Sequence, residues 1–64
     1  MKTLCYYIEQ NENYANFEKM LNWIMMLVPC FVSTECVEMN FVEVTIVCRQ
    51  ADVPAVQTAL APYL

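Results

Sequence analysis

Glycine and histidine are both missing from this 64-residue chain. Without glycine, no residue enters the left-handed backbone region freely, so the turns must be built from Asn, Pro and Asp. The same absence excludes a glycine-rich phosphate cradle and the nucleotide-binding loops that depend on one. Without histidine, the chain lacks the side chain that most often moves protons near neutral pH and a principal ligand of zinc. Cations are scarce as well: three Lys and Arg stand against seven Asp and Glu, for a net charge of −4. That argues against direct nucleic-acid binding, because affinity for phosphates comes from clustered Lys and Arg. A basic protein partner fits the charge, and such a partner can itself be a nucleic-acid-handling surface. Plain solubility is the other reading of the same number.

What the chain has in excess is apolar surface. Its residues are 59% hydrophobic, against roughly 45–50% in ordinary globular domains even with glycine counted. A chain this short forms one domain and buries only about 60% of its unfolded surface, so apolar side chains are left over. The surplus faces a partner or a second copy, or is scattered singly over the surface. The densest run, Trp23–Val32, is shorter than the roughly 20 apolar residues a membrane span needs, and Pro29 interrupts it. No membrane association is expected.

Four cysteines, Cys5, Cys30, Cys36 and Cys48, contain no C-x-x-C spacing. With no histidine to join them, no metal centre is expected, and no motif implies a cofactor. Met1–Lys2 leads straight into a strand-like segment, so no secretion leader is expected. Free, mostly buried thiols in a reducing, cytoplasmic setting follow.

The elements are legible from periodicity. Residues 2–9 (KTLCYYIE) are rich in aromatic and β-branched types and predict a strand. QNEN at 10–13 breaks it, and Asn11 or Asn13 can cap the helix that follows. That helix is expected over about Tyr14–Val28, ending at Pro29, with Tyr14, Phe17, Leu21, Ile24 and Val28 on one stripe. Trp23 and Met26 lie well round toward the far side; they form a second contact patch, or Trp23 covers the flank of the core or sits under a loop.

Residues 30–38 and 41–49 read as two strands joined at Met39–Asn40, with Asn suited to the positive φ of a tight hairpin. Val42, Val44, Ile46 and Cys48 make one apolar face. An inward Glu35 would be an unpaired buried carboxylate, so the partner strand should turn Cys30, Val32, Thr34 and Cys36 inward. A last helix should start at Asp52 as N-cap with Pro54 in its first turn, and Val53, Val56, Leu60 and Tyr63 inward.

The order β-α-β-β-α predicts an α+β fold: one domain, a three-stranded antiparallel sheet, and two helices on one face. This element order resembles a ferredoxin-like domain lacking its last strand, and the small inhibitors of the DinI type. It leaves strand 1 as a free edge and the second sheet face uncovered. Parity puts Cys5, Tyr7, Phe31, Ser33, Glu35, Val37, Phe41, Glu43, Thr45 and Val47 on that open face.

Charge should sort along the sheet. Glu9, Glu12, Glu35, Glu38 and Glu43 are expected at the hairpin end, with Lys2 and Arg49 at the other. A flat face offers no pocket to split the pKa values of Glu35 and Glu43, so no catalytic residues and no enzyme activity are expected. Cys5 has no evident basic neighbour to activate it. The cluster either meets a cationic partner or is a solvated rim.

In size, acidity and lack of catalytic residues, the chain resembles the phage-encoded inhibitors of bacterial defence, notably the anti-CRISPR proteins. That resemblance implies a DNA mimic: a non-enzymatic inhibitor binding a basic protein surface through Glu9, Glu12, Glu35, Glu38 and Glu43, with Tyr7 and Phe41 as aromatic anchors. The alternative is a structural module that forms a homodimer through the open sheet face or the strand 1 edge.

Overall fold

The computed structural model describes residues 1–64. It comprises β1 (Lys2–Glu9), α1 (Tyr14–Leu27), β2 (Cys30–Glu38), β3 (Phe41–Cys48) and α2 (Val53–Leu60), with short 3-10 turns at Gln50–Asp52 and Ala61–Tyr63 on either side of α2. The sheet has the order β1-β3-β2, antiparallel throughout. It is the expected α+β arrangement, with β3 central and β1 and β2 as the two edges.

The core sits between one sheet face and the helices. Phe17, Leu21 and Ile24 from α1 meet Ile8, Val42, Val44, Ile46 and Cys48 from the sheet and Val56 and Leu60 from α2. These are the positions that period 2 in the strands and period 3.6 in the helices bring to one side. Tyr14, Val28, Val53 and Tyr63 close the margins, and the Tyr63 ring meets Phe17 edge-on at 6.4 Å between centroids. No helix is long and apolar enough to cross a membrane.

Several local expectations are corrected. Asn13 occupies the N-cap of α1, but its side chain bonds no helix amide; instead Asn11 Oδ1 accepts the Asn13 N–H at 2.9 Å, closing a turn ahead of the helix. Asp52 does not cap α2 through its side chain either. Its carboxylate is taken by Arg49, whose Nε donates at 2.8 Å, and the chain enters α2 through the 3-10 turn. β3 accordingly ends at Cys48, and α1 ends at Leu27 with Val28 already extended before Pro29.

The hairpin turn uses no positive φ. In its place β2 carries a bulge: Cys36 pairs with Val42, Glu38 pairs with Phe41, and Val37 is the extra residue. The bulge adds local bend and twist, so the reversal at Met39–Asn40 proceeds without a left-handed residue. An Asn40→Gly variant should therefore lose about 0.4–1 kcal/mol, since glycine only loosens the unfolded chain here. Urea unfolding would show it, and a gain in stability would contradict this account of the turn.

Thr34 and Cys36 share the inward parity of Cys30 and Val32 but are exposed. They lie on an edge strand toward its bulged end, where no helix covers them. All four cysteines are free and only Cys48 is buried; Cys30 is half-buried, Cys5 and Cys36 exposed. Trp23 is 53% exposed and Met26 83%, so Trp23 lies under no loop.

Candidate functional site

The uncovered sheet face is ordered in rows by strand register. From the Lys2 end the rows run Thr3–Val47–Phe31, Cys5–Thr45–Ser33, Tyr7–Glu43–Glu35 and Glu9–Phe41–Glu38. The first two rows carry no charge. The last two hold four carboxylates and two aromatic rings. Glu35 and Glu43 face each other in direct register, and Glu9 and Glu38 flank Phe41 from opposite sides.

Like charges opposed across a strand pair destabilise the sheet. No carboxylate of this group has a salt-bridge partner, because the ion pair in the molecule is Arg49–Asp52 beyond the opposite end of β3. Lys2 pairs in register with Cys48, also at that far end. Glu12 lies in the turn between β1 and α1, at the same end as the cluster but outside its rows. The strand register thus brings Glu9, Glu35, Glu38, Glu43, Tyr7 and Phe41 together, with Glu12 beside them.

The face is not flat at this end. Tyr7, Val37, Glu38, Phe41 and Glu43 line an open concavity of about 400 Å³. Strand parity already placed Val37 on the open face, but gave it no part in the site; here it lines the concavity at the bulge between Cys36 and Glu38. A cation entering here would meet aromatic surface and two carboxylates at once. A larger concavity, about 600 Å³, lies at the same end between β1, the start of α1 and the C-terminal turn. Asn11, Asn13, Asn16, Tyr14 and Tyr63 contribute to it, and sequence reasoning gave that group no part.

No group of three or more Cys, Asp or Glu is placed to hold a metal ion. Cys5 Sγ lies 3.9 Å from Thr45 Oγ1, with threonine rather than a cation beside it. The Tyr7 phenol is pushed above its ordinary 10.0, first by hydrogen bonding to the Glu43 carboxylate and then by that group's charge. Burial does the same for Tyr6, aided by Cys48, and for Tyr14, aided by Glu18. Cys30 is raised from 9.0 by burial, with Cys48 and Asp52 adding to it.

All four shifts act with one sign. The folded chain holds these protons more tightly than the unfolded one, so their stabilisation is complete below the unfolded values, about 8.5 for Cys and 10 for Tyr. It is lost as pH rises through the folded values. Thermal melts should therefore show Tm falling above about pH 8.5 and more steeply above 10. Glu43→Gln should bring the Tyr7 titration back toward its ordinary range. A Tm that stays level through about pH 11 would contradict the assignment.

The second patch lies on the outer side of α1. Trp23 and Met26 are exposed there, with exposed Leu27 one turn on from Trp23. Met20, Trp23 and Leu27 recur at i, i+3 and i+7 and form a second apolar stripe beside the core stripe. No protein-family model, curated protein or solved structure matches this chain.

Proposed function

We propose that this chain is a non-enzymatic binding protein that covers a basic, nucleic-acid-handling surface of a protein partner, as the anti-CRISPR resemblance implies. The observation that carries the reading is the opposed Glu35–Glu43 pair, neither member in a salt bridge, with Glu9 and Glu38 around Phe41. A sheet that keeps like charges in register forgoes stability, and a cationic partner recovers it on contact. The Tyr7–Phe41 concavity receives an arginine or lysine side chain, with the rings beneath the cation and Glu38 and Glu43 at its rim.

In this reading, occlusion follows from charge and position. The carboxylates occupy sites where the partner would otherwise hold phosphates, and the uncharged rows beyond them border the contact. The work is done in a cytoplasmic setting and needs no cofactor. Reversing charge at both Glu35 and Glu43 to Lys tests the idea: binding to the basic partner should be lost, and binding retained on an intact fold would rule it out.

A further inference from the structure

The two sheet edges differ. β2 follows Pro29, carries Glu35 and Glu38, and is interrupted by the bulge at Val37. Proline, charge and bulges are the devices that keep an edge from pairing. β1 has neither proline nor bulge: its eight residues pair with β3 in unbroken register, and its charges, Lys2 and Glu9, are confined to its two ends.

The register also shows which backbone groups β1 leaves open. Gln10 N–H donates to Asn40 O at 2.6 Å, continuing the pairing of Glu9 with Phe41 by one step. In an antiparallel pair, hydrogen-bonded positions alternate, so the even residues of β1 bond to β3. The N–H and C=O groups of Thr3, Cys5 and Tyr7 and the N–H of Glu9 point outward along the free edge, while the Glu9 carbonyl accepts the Asn11 N–H at 3.0 Å.

What flanks that edge is also uncharged. Residues 53–64 contain no charged side chain. α1 packs against β2 and α2 against α1, while Pro62, Tyr63 and Leu64 share the larger concavity with Ile8 and Glu9. The β1 side is therefore bordered by a stretch of the chain free of charged side chains. In a molecule of net charge −4, that is a flank on which two copies approach with little repulsion.

We infer that β1 pairs antiparallel with β1 of a second copy, giving a continuous six-stranded sheet. The direction follows from charge. Antiparallel pairing sets the Lys2 end of one strand beside the Glu9 end of the other and carries the two acidic clusters to diagonal ends. Parallel pairing would bring the clusters together. The odd residues of both strands then exchange their outward hydrogen bonds, and the acidic site stays uncovered in each copy. The inference stands apart from the proposed function, since the edge uses backbone groups of β1, whereas the site uses side chains on the open face, those of Tyr7 and Glu9 among them.

The test is backbone hydrogen exchange by NMR on the full chain across a dilution series, alongside sedimentation. Twice the chain mass is expected at high concentration, with exchange at Thr3, Cys5, Tyr7 and Glu9 slowing in step with the dimer fraction. The outward amides of β2, Val32 and Thr34, should stay fast. Cys5→Pro, which removes an outward donor but no bond to β3, should return the mass to that of a single chain. A single-chain mass at all concentrations overturns the inference. So does a dimer in which those four amides remain fast, which would place the contact elsewhere, as on the Trp23–Leu27 stripe. Should Cys5→Pro fail to fold, the wild-type exchange pattern decides alone.

Discussion

The Phe17→Ala chain should be largely unfolded at 25 °C. Phe17 is 1% exposed and is the largest side chain that the core encloses fully. Its ring lies 6.2 Å from that of Tyr14 and 6.4 Å from that of Tyr63, so it ties the first turn of α1 to the C-terminal turn. Truncating a buried Phe costs about 3–5 kcal/mol in lost transfer energy and residual cavity. Each aromatic pair adds roughly 0.5–1.5 kcal/mol beyond its buried area. A domain of this size has a total stability of roughly 3–10 kcal/mol, and a core of ten residues favours the low end. The loss is comparable to the whole. Circular dichroism melts would show no cooperative transition, or one shifted far down. A cooperative transition weakened by less than about 2 kcal/mol would show that the core does not depend on this ring as described.

Glu35→Lys should move two properties in opposite directions. It replaces a like-charge pair with an opposite-charge pair facing Glu43 across the sheet. That relief is worth roughly 0.2–1 kcal/mol, and in a domain this small each kcal/mol raises Tm by about 4–8 °C. Binding should fall at the same time. With an arginine-rich peptide as probe, a loss of at least tenfold is expected, about 1.4 kcal/mol. The control is Glu18→Lys on exposed α1, which changes net charge equally but lies away from the open face. If both variants weaken binding alike, the effect is net charge alone and the cluster has no special part. If Glu35→Lys raises Tm and leaves binding untouched, the carboxylates are a solvated rim. A thermal shift paired with an affinity titration decides among these outcomes.

The parts of this fold that rest on periodicity were legible before the structure. β1, β2 and β3 show period 2, and the stripe from Tyr14 to Val28 shows period 3.6; both mark which side is buried without reference to distant residues. The acidic cluster follows from the same logic, because strand direction and parity are enough to place Glu9, Glu35 and Glu43 near one another. The local details were not legible. Asn13 and Asp52 are good capping residues by type, yet both adopt helical φ/ψ rather than the extended conformation a side-chain cap uses, and Arg49 holds the Asp52 carboxylate. Thr34 and Cys36 have the right parity for burial, but parity says nothing of how far along a strand the helices reach. The bulge at Val37 depends on how the turn closes, so the concavity beside Phe41 could not be drawn from spacing.

The backbone has no positive φ and no cis peptide, so every residue sits in a conformation that ordinary L-amino acids adopt. No position is reserved for glycine. Identity is constrained mainly at the ten buried positions, and the rest of the chain is interchangeable as far as the skeleton is concerned. Such a scaffold permits its open sheet face to drift almost independently of its fold. The rows around Tyr7 and Phe41 could be rewritten and every turn left as it is.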